Sequence, residues 1–404
     1  MSVFLCKNSQ LTNNIVTGSS GLENGMENTA DRRREIFMRK MKRWVSLSVS
    51  LLMAVGLMAG CGGSSSSSTT SGSSATSTSS GSSSSSTVDT SKAKYTLKVG
   101  HDHTTTSPFQ QCMLEFQKEV ESKSNGQIKV EIYPGQQLGS AREMIEMEQN
   151  GTLEATLLPT AKFGGFDEQL NLADMPFLAD TEEHFLTLMN GEVGTEAMAG
   201  LEDIGIHGVA YFPEGFKYIT NNVKPITSPA DLKGLKIRTM EAPIIMSMFS
   251  AWGANPVPID FSEVYNSLQQ NVVDGEENPL LSIHDMKFYE VQKYMTIDSH
   301  AYLSYFMSYS KTWFESLPSD LQTVVTDCTM SAATRCHELM TEANDGYLKD
   351  ITDSGVQVYT LNDSETQAFK DACQSVYSDY RDQIGGDLLD KAVAESKKLA
   401  ESSK

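Results

Sequence analysis

Short runs of the chain alternate apolar and polar residues at period two, and longer stretches between them repeat apolar positions every three or four residues. Residues 95–100 alternate as a strand and end in the polar loop 101–107. A helix over 109–122, a strand over 128–133 and a helix over 141–150 follow. Residues 155–158 predict a buried strand that leaves through the loop 159–163, then come a helix over 182–201 and a strand over 205–212. Residues 235–238 alternate again and place Arg238 at a strand end. Ile244, Ile245, Met248 and Trp252 share a helix face that Gly253 stops, and Phe261, Val264, Tyr265 and Leu268 share another. Residues 272–275 predict a sharp turn into Glu276, Glu277, Asn278 and Pro279. Residues 294–309 predict extended structure running between domains, and 321–343 keep helical spacing for about six turns, with Ser319 as the cap. A strand over 356–361 and an amphipathic tail follow. Strands alternating with helices in this way predict an α/β fold around mainly parallel sheets.

The first part of the chain changes the picture. The basic start at 38–43, the apolar run at 44–59 and the small residues before Cys61 predict a secretory signal. The run is short for a bilayer span, which takes about 20 residues. Its Leu57-Met58-Ala59-Gly60-Cys61 ending resembles a bacterial lipobox, with Met58 where that box usually holds Leu, and implies lipidation of Cys61. Residues 1–37 precede a complete signal and read as an over-extended start or a disordered extension. Residues 64–86 are nearly all Ser, Thr and Gly and predict a flexible tether. The chain thus divides into 1–37, a signal at 38–60, an anchored linker at 61–93 and a globular part at 94–404.

A net charge of −20 argues against a nucleic-acid surface. It does not constrain a small ligand, because one local cation can dominate a closed site. Cys112, Cys328, Cys336 and Cys373 occupy helical apolar positions and read as small core residues, with one disulfide among them left open. No C-x-x-C, G-x-S-x-G, H-E-x-x-H or P-loop occurs, so no catalytic group and no cofactor is expected. His101 and His103 form an H-x-H pair without a third ligand at suitable spacing, which predicts a cleft rim with His103 in it and no metal site. Arg238, Tyr265 and Asn278 fall at strand–helix junctions, where α/β sheets collect ligands. Each also has a structural reading, as an ion pair, a core ring or a turn cap.

The strings G-L-K-I-R, G-A-N-P-V-P, F-S-E-V-Y, V-D-G-E-E-N-P-L and K-F-Y-E-V-Q-K-Y resemble the solute-binding proteins of TRAP (tripartite ATP-independent periplasmic) transporters, of the C4-dicarboxylate-binding-protein type. Y-P-G-Q-Q-L-G, M-P-F-L, K-P-I-T-S-P-A-D-L and W-F-E-S-L-P extend the likeness over about three quarters of the chain. The resemblance implies a two-lobed, type II periplasmic-binding-protein-like (Venus-flytrap) fold with a long helix bracing both lobes. Lobe one is expected at about 95–214 and 303–341, lobe two at about 215–302 and 342–404. It implies a non-enzymatic receptor that passes an organic acid to membrane permease subunits, and with lipidation of Cys61 the expected place is the outer face of the cytoplasmic membrane. Arg238 and Asn278 would hold the carboxylate. Lys217 stands where the family commonly has Arg and keeps the charge without the planar fork. Tyr265, His103, Thr160 in the 159–163 loop and His300 complete the expected ligand set. An ABC-type solute-binding lipoprotein and a secreted hydrolase are the competing classes.

Overall fold

Leu97 and Val99, alternating with more exposed neighbours, make Tyr95–His101 the first strand, β1, of a five-stranded sheet. The computed structural model describes residues 88–402, within the unit Ser83–Lys404. Cys6, Cys61, the signal and the Ser-rich tether lie outside the described residues. Parallel β2 (Ile128–Tyr133) and β3 (Ala155–Pro159) flank β1 and are reached through the helices Pro108–Lys123 and Ala141–Gln149. Ser107 caps the first helix, and Ser140 forms a capping box with Glu143 on the second. β10 (Tyr302–Ser310) inserts antiparallel between β3 and β4 (Ile206–Phe216), giving the order β2-β1-β3-β10-β4.

The second sheet has the order β11-β9-β5-β8-β6-β7. Its strands are β5 (Tyr218–Asn221), β6 (Lys236–Thr239), β7 (Asn255–Pro258), β8 (Gly275–Asn278), β9 (Tyr294–Ile297) and β11 (Gln357–Thr360). The chain crosses between the sheets at Lys217 and again over 298–301. The two crossings are tied together where Lys217 N donates to Ala301 O at 2.9 Å. The helix Ser319–Asp353 packs on Pro108–Lys123 and β4 of the first lobe and on Leu280–Asp285 of the second, then feeds β11.

Several elements differ from the sequence reading. The expected helix over 182–201 breaks at Asn190 and Gly191 into Glu182–Met189 and Glu192–Met198, because Asn190 turns its side-chain oxygen to the backbone N–H of Tyr211. Pro318, not Ser319, is the cap of the long helix, and Ser319 is its first helical residue. Residues 294–309 are two strands, β9 and β10, one in each sheet. The expected turn at 272–275 leads directly into β8, a fully buried strand whose Glu-Glu-Asn content disguises it. Gly275 is required there: a Cβ would sit 2.1 Å from Thr220 O on the neighbouring strand. The tail does not stay with the second lobe. Its last helix, Gly386–Ser402, buries Leu388, Leu389 and Ala392 against Glu182–Met189 and Glu192–Met198 of the first. Cys112, Cys328, Cys336 and Cys373 are free, buried thiols.

Candidate functional site

β6 is exposed at Lys236 and buried from Ile237 onward, so the strand carries Arg238 into the interior with no exposed surface. Its Nε donates to Ile259 O at 3.0 Å, but Nη1 and Nη2 have no partner. No carboxylate of the described residues lies within the 4.0 Å of an ion pair with this guanidinium, although Glu277, Glu276 and Asp260 are near enough to favour its charge against burial. A buried cation whose two terminal nitrogens are unmatched is costly unless an anion completes it.

On β8, beside Arg238 in register, Glu276 is fully committed. Thr220 Oγ1 donates to its Oε1 at 2.5 Å and Asn278 Nδ2 to its Oε2 at 2.6 Å. Burial pushes the Glu276 carboxyl up to about 7 against those bonds and the Arg238 charge. Asn278 therefore spends one donor on Glu276 and keeps its oxygen and second N–H.

Lys217, at the first crossing, is buried with Nζ 3.2 Å from Glu277 Oε2 and 3.9 Å from Asp174 Oδ1. His300, at the second crossing, has Nδ1 2.8 Å from Asp298 Oδ2 and Nε2 3.6 Å from Glu277 Oε2. Burial alone would raise the Glu277 carboxyl, but Lys217, His300 and Arg238 outweigh it and hold it below its ordinary value. Burial drives Asp174 up to about 7 despite Lys217. Burial opposes the His300 imidazolium, yet Asp298 and Glu277 raise it from 6.5 to about 9. The imidazolium thus contributes stability that is full below about 6.5 and is lost as pH rises through about 9. We expect the melting temperature of the wild type to fall across that window, and His300→Gln to flatten the fall. A profile unchanged in His300→Gln would contradict the assignment.

The 102–104 loop closes the other side. The His103 ring stacks on Phe109 with centroids 4.4 Å apart and lies 4.8 Å from Tyr305, with its Nε2 3.6 Å from Glu214 Oε2. Burial lowers this imidazole, but Glu214, Asp102 and Asp285 reverse the direction and raise it. Tyr305 donates to Asp102 Oδ1 at 2.9 Å. Contacts then reach the second lobe: Ser282 donates to Glu214 at 2.6 Å, Thr104 to Asp285 at 2.8 Å, and Phe261 meets His103 edge-on at 6.2 Å. The lobes are closed on each other here.

Of the expected ligand set, Arg238, Asn278, Lys217, His300 and His103 gather in this one band of buried charge. Tyr265 does not: its hydroxyl donates to Glu290 at the surface of the second lobe, and its ring packs against that lobe's hydrophobic cluster. Thr160 is buried within the first lobe, where its hydroxyl is held by Ser304 O and Oγ at 3.0 and 2.8 Å. It pins the end of β3 to β10. His101 pairs with Gln110 at 2.8 Å, is pushed down to about 4 by burial, and does not join His103. The sequence reading missed Asp102, Glu214, Tyr305, Glu276 and Glu277. Only the run of charge inside strand-forming segments hinted at them.

The model of the bacterial extracellular solute-binding protein family 7 matches residues 99–383. The chain belongs to that family, the TRAP solute receptors. This receptor is 32% identical over 312 residues to the 2,3-diketo-L-gulonate-binding periplasmic protein of Escherichia coli K12, covering 76% of this chain and 93% of that protein. It is 32% identical to the C4-dicarboxylate-binding protein of Bacillus subtilis 168, covering 72% and 84%. Among solved structures, the TRAP receptor of Desulfovibrio salexigens with bound orotic acid superposes with TM-score 0.73 at 32% identity, covering 76% of this chain and all of that one, which is 100% of its length. The sugar-acid-binding protein of Advenella mimigardefordensis in complex with galactonate superposes with TM-score 0.73 at 28% identity, covering 76% and 99%. The receptor has their two-lobed, type II periplasmic-binding-protein-like fold.

Proposed function

We propose that this receptor binds an organic acid by its carboxylate at Arg238 and delivers it to the TRAP permease. The observation that carries the reading is the buried guanidinium with two unmatched nitrogens, closed between lobes. A planar carboxylate fits that fork with two parallel charge-assisted bonds, and Asn278 is placed to add a third. The relatives support the ligand class, since they bind a C4-dicarboxylate, orotic acid and the sugar acid galactonate. A receptor needs closure around its ligand and no reacting group, and the buried acids here are engaged by neighbouring side chains, Glu277 by Lys217 and Glu276 by Thr220 and Asn278. The test is a thermal-shift panel of organic acids on the chain from residue 88. A ligand that binds only the folded protein at about 100 times its Kd stabilises it by about 2.7 kcal/mol. No rise with any carboxylate would defeat the reading.

Anchoring through Cys61 is the second part of the proposal. It rests on the sequence before Cys61 and the tether behind it, and among the described residues no helix is long and apolar enough to cross a membrane. Two or more acyl chains give stable retention where one gives marginal binding. Cys61→Ala should move the protein to the soluble fraction or leave it unprocessed. Unaltered fractionation and lipid labelling would show that Cys61 is no anchor.

A further inference from the structure

Asn278 sets a second acid beside the place proposed for the ligand. Its Nδ2 gives one N–H to Glu276 Oε2 at 2.6 Å, and the other N–H is the one left for the ligand. Two acceptors at ordinary hydrogen-bond length on one amide nitrogen lie about 5 Å apart. Arg238 stands on the same side: it pairs in register with Glu276 on the adjoining parallel strand, so both side chains leave one face of the sheet. Arg238 and Glu276 have no exposed surface. A carboxylate taken up between Arg238 and Asn278 therefore becomes a close neighbour of the Glu276 carboxyl, with no water between them to screen it.

The elements around Glu276 leave that like charge uncompensated. On β6 the cation acting on it is Arg238, which the ligand would occupy. Next along β8, Glu277 adds a negative charge and is itself held by Lys217 and His300. On the other side β5 offers Thr220 opposite Glu276 and Tyr218 opposite Asn278. The helix Val264–Gln269, packed on β8, offers Tyr265, whose hydroxyl is turned to Glu290. In the empty site burial pushes the Glu276 carboxyl up to about 7 while Arg238 favours its anion. A bound carboxylate satisfies Arg238 and brings a like charge near, and both changes favour a proton on Glu276. The hydrogen bonds allow it, because the Thr220 hydroxyl that donates to the anion can accept from the neutral acid.

We propose that Glu276 takes up a proton as the ligand binds, so that this receptor holds its ligand more tightly in acidic than in alkaline surroundings. This rests on the carboxylate reading of Arg238 and adds a proton to it. Below about 7 Glu276 is neutral with or without ligand, and affinity is level. Above that value the empty site must gain a proton to bind, and affinity falls by up to about tenfold per pH unit. Asp174 is also pushed up to about 7, but its cation is Lys217, so a substitution at Glu276 separates the two.

Calorimetry with D-galactonate, orotate and fumarate, whose carboxylates are ionised throughout, tests this at about pH 6 and about pH 8 in buffers of different ionisation enthalpy. The proteins are the wild type, Glu276→Gln and Arg238→Ala. Wild-type affinity for at least one acid should fall about tenfold between the two conditions, with close to one proton taken up per ligand at the higher pH. In Glu276→Gln the fall should shrink to less than about threefold and the buffer-dependent heat should vanish. Should that variant not fold, the wild-type proton count decides alone. A wild type with equal affinity at both pH values, or a variant that keeps the fall and the proton uptake, overturns the proposal while leaving Arg238 in its role. Wild-type binding of none of the three acids overturns it too. If instead Arg238→Ala binds an acid as the wild type does, the carboxylate reading itself fails.

Discussion

Arg238→Ala is expected to cost the receptor about 2–5 kcal/mol of ligand affinity, roughly 30- to several-thousand-fold, because the ligand carboxylate then enters a closed site with its buried partner missing. Arg238→Lys should recover only part of this, since an ammonium cannot make two parallel bonds. The empty protein should lose little stability and could gain some. In the wild type the two terminal nitrogens are buried without partners, so removing them relieves a desolvation cost. Calorimetry with an acid found in the thermal panel, beside the melting temperature of the free variant, decides between roles. A purely structural arginine would give the reverse pair of results: near-normal affinity and a lowered melting temperature.

Glu277→Ala should have the largest effect on stability. It leaves Lys217 and His300 buried and close together without their shared carboxylate. Removing one partner from a buried ionic set typically costs 3–5 kcal/mol, on the order of 10 °C in melting temperature for a protein of this size. If the alanine variant fails to fold, Glu277→Gln keeps the shape and removes the charge, and its melting temperature should fall more steeply at low pH, where His300 is charged. A change below 1 kcal/mol in both would mean that Glu277 is neutralised in the wild type. The same geometry gives Lys217 a different role from the sequence expectation. With Nζ between Glu277 and Asp174, it is committed to holding the crossing strands, and Lys217→Ala should act on stability more than on ligand choice.

Much of this was legible in the order of the residues. β1 and β2 follow directly from period-two alternation, β3 from a short buried apolar run, and the long helix from its apolar spacing. β8 was not legible, because a central strand carrying two glutamates and an asparagine looks like a solvated turn until its cationic partners are placed. Those partners, Lys217, Arg238 and His300, sit 60, 39 and 23 residues from Glu277 along the chain, and nothing local announces the meeting. Arg238 and Asn278 were singled out through motif resemblance and the chemistry of carboxylates. For Tyr265 a helix face gave spacing without direction, and its hydroxyl meets Glu290.

The place of β10 has a consequence for biosynthesis. It fills the gap between β3 and β4 with residues made well after both, pairing Leu157 with Met307. Until that segment emerges, β3 and β4 present open edges and the first sheet cannot be completed. At roughly 5–20 residues per second, the wait is of the order of ten seconds. A nascent chain held open for that long remains threadable through a narrow secretion channel. It is also sticky, and fragments ending before residue 300 should aggregate where the full-length chain folds.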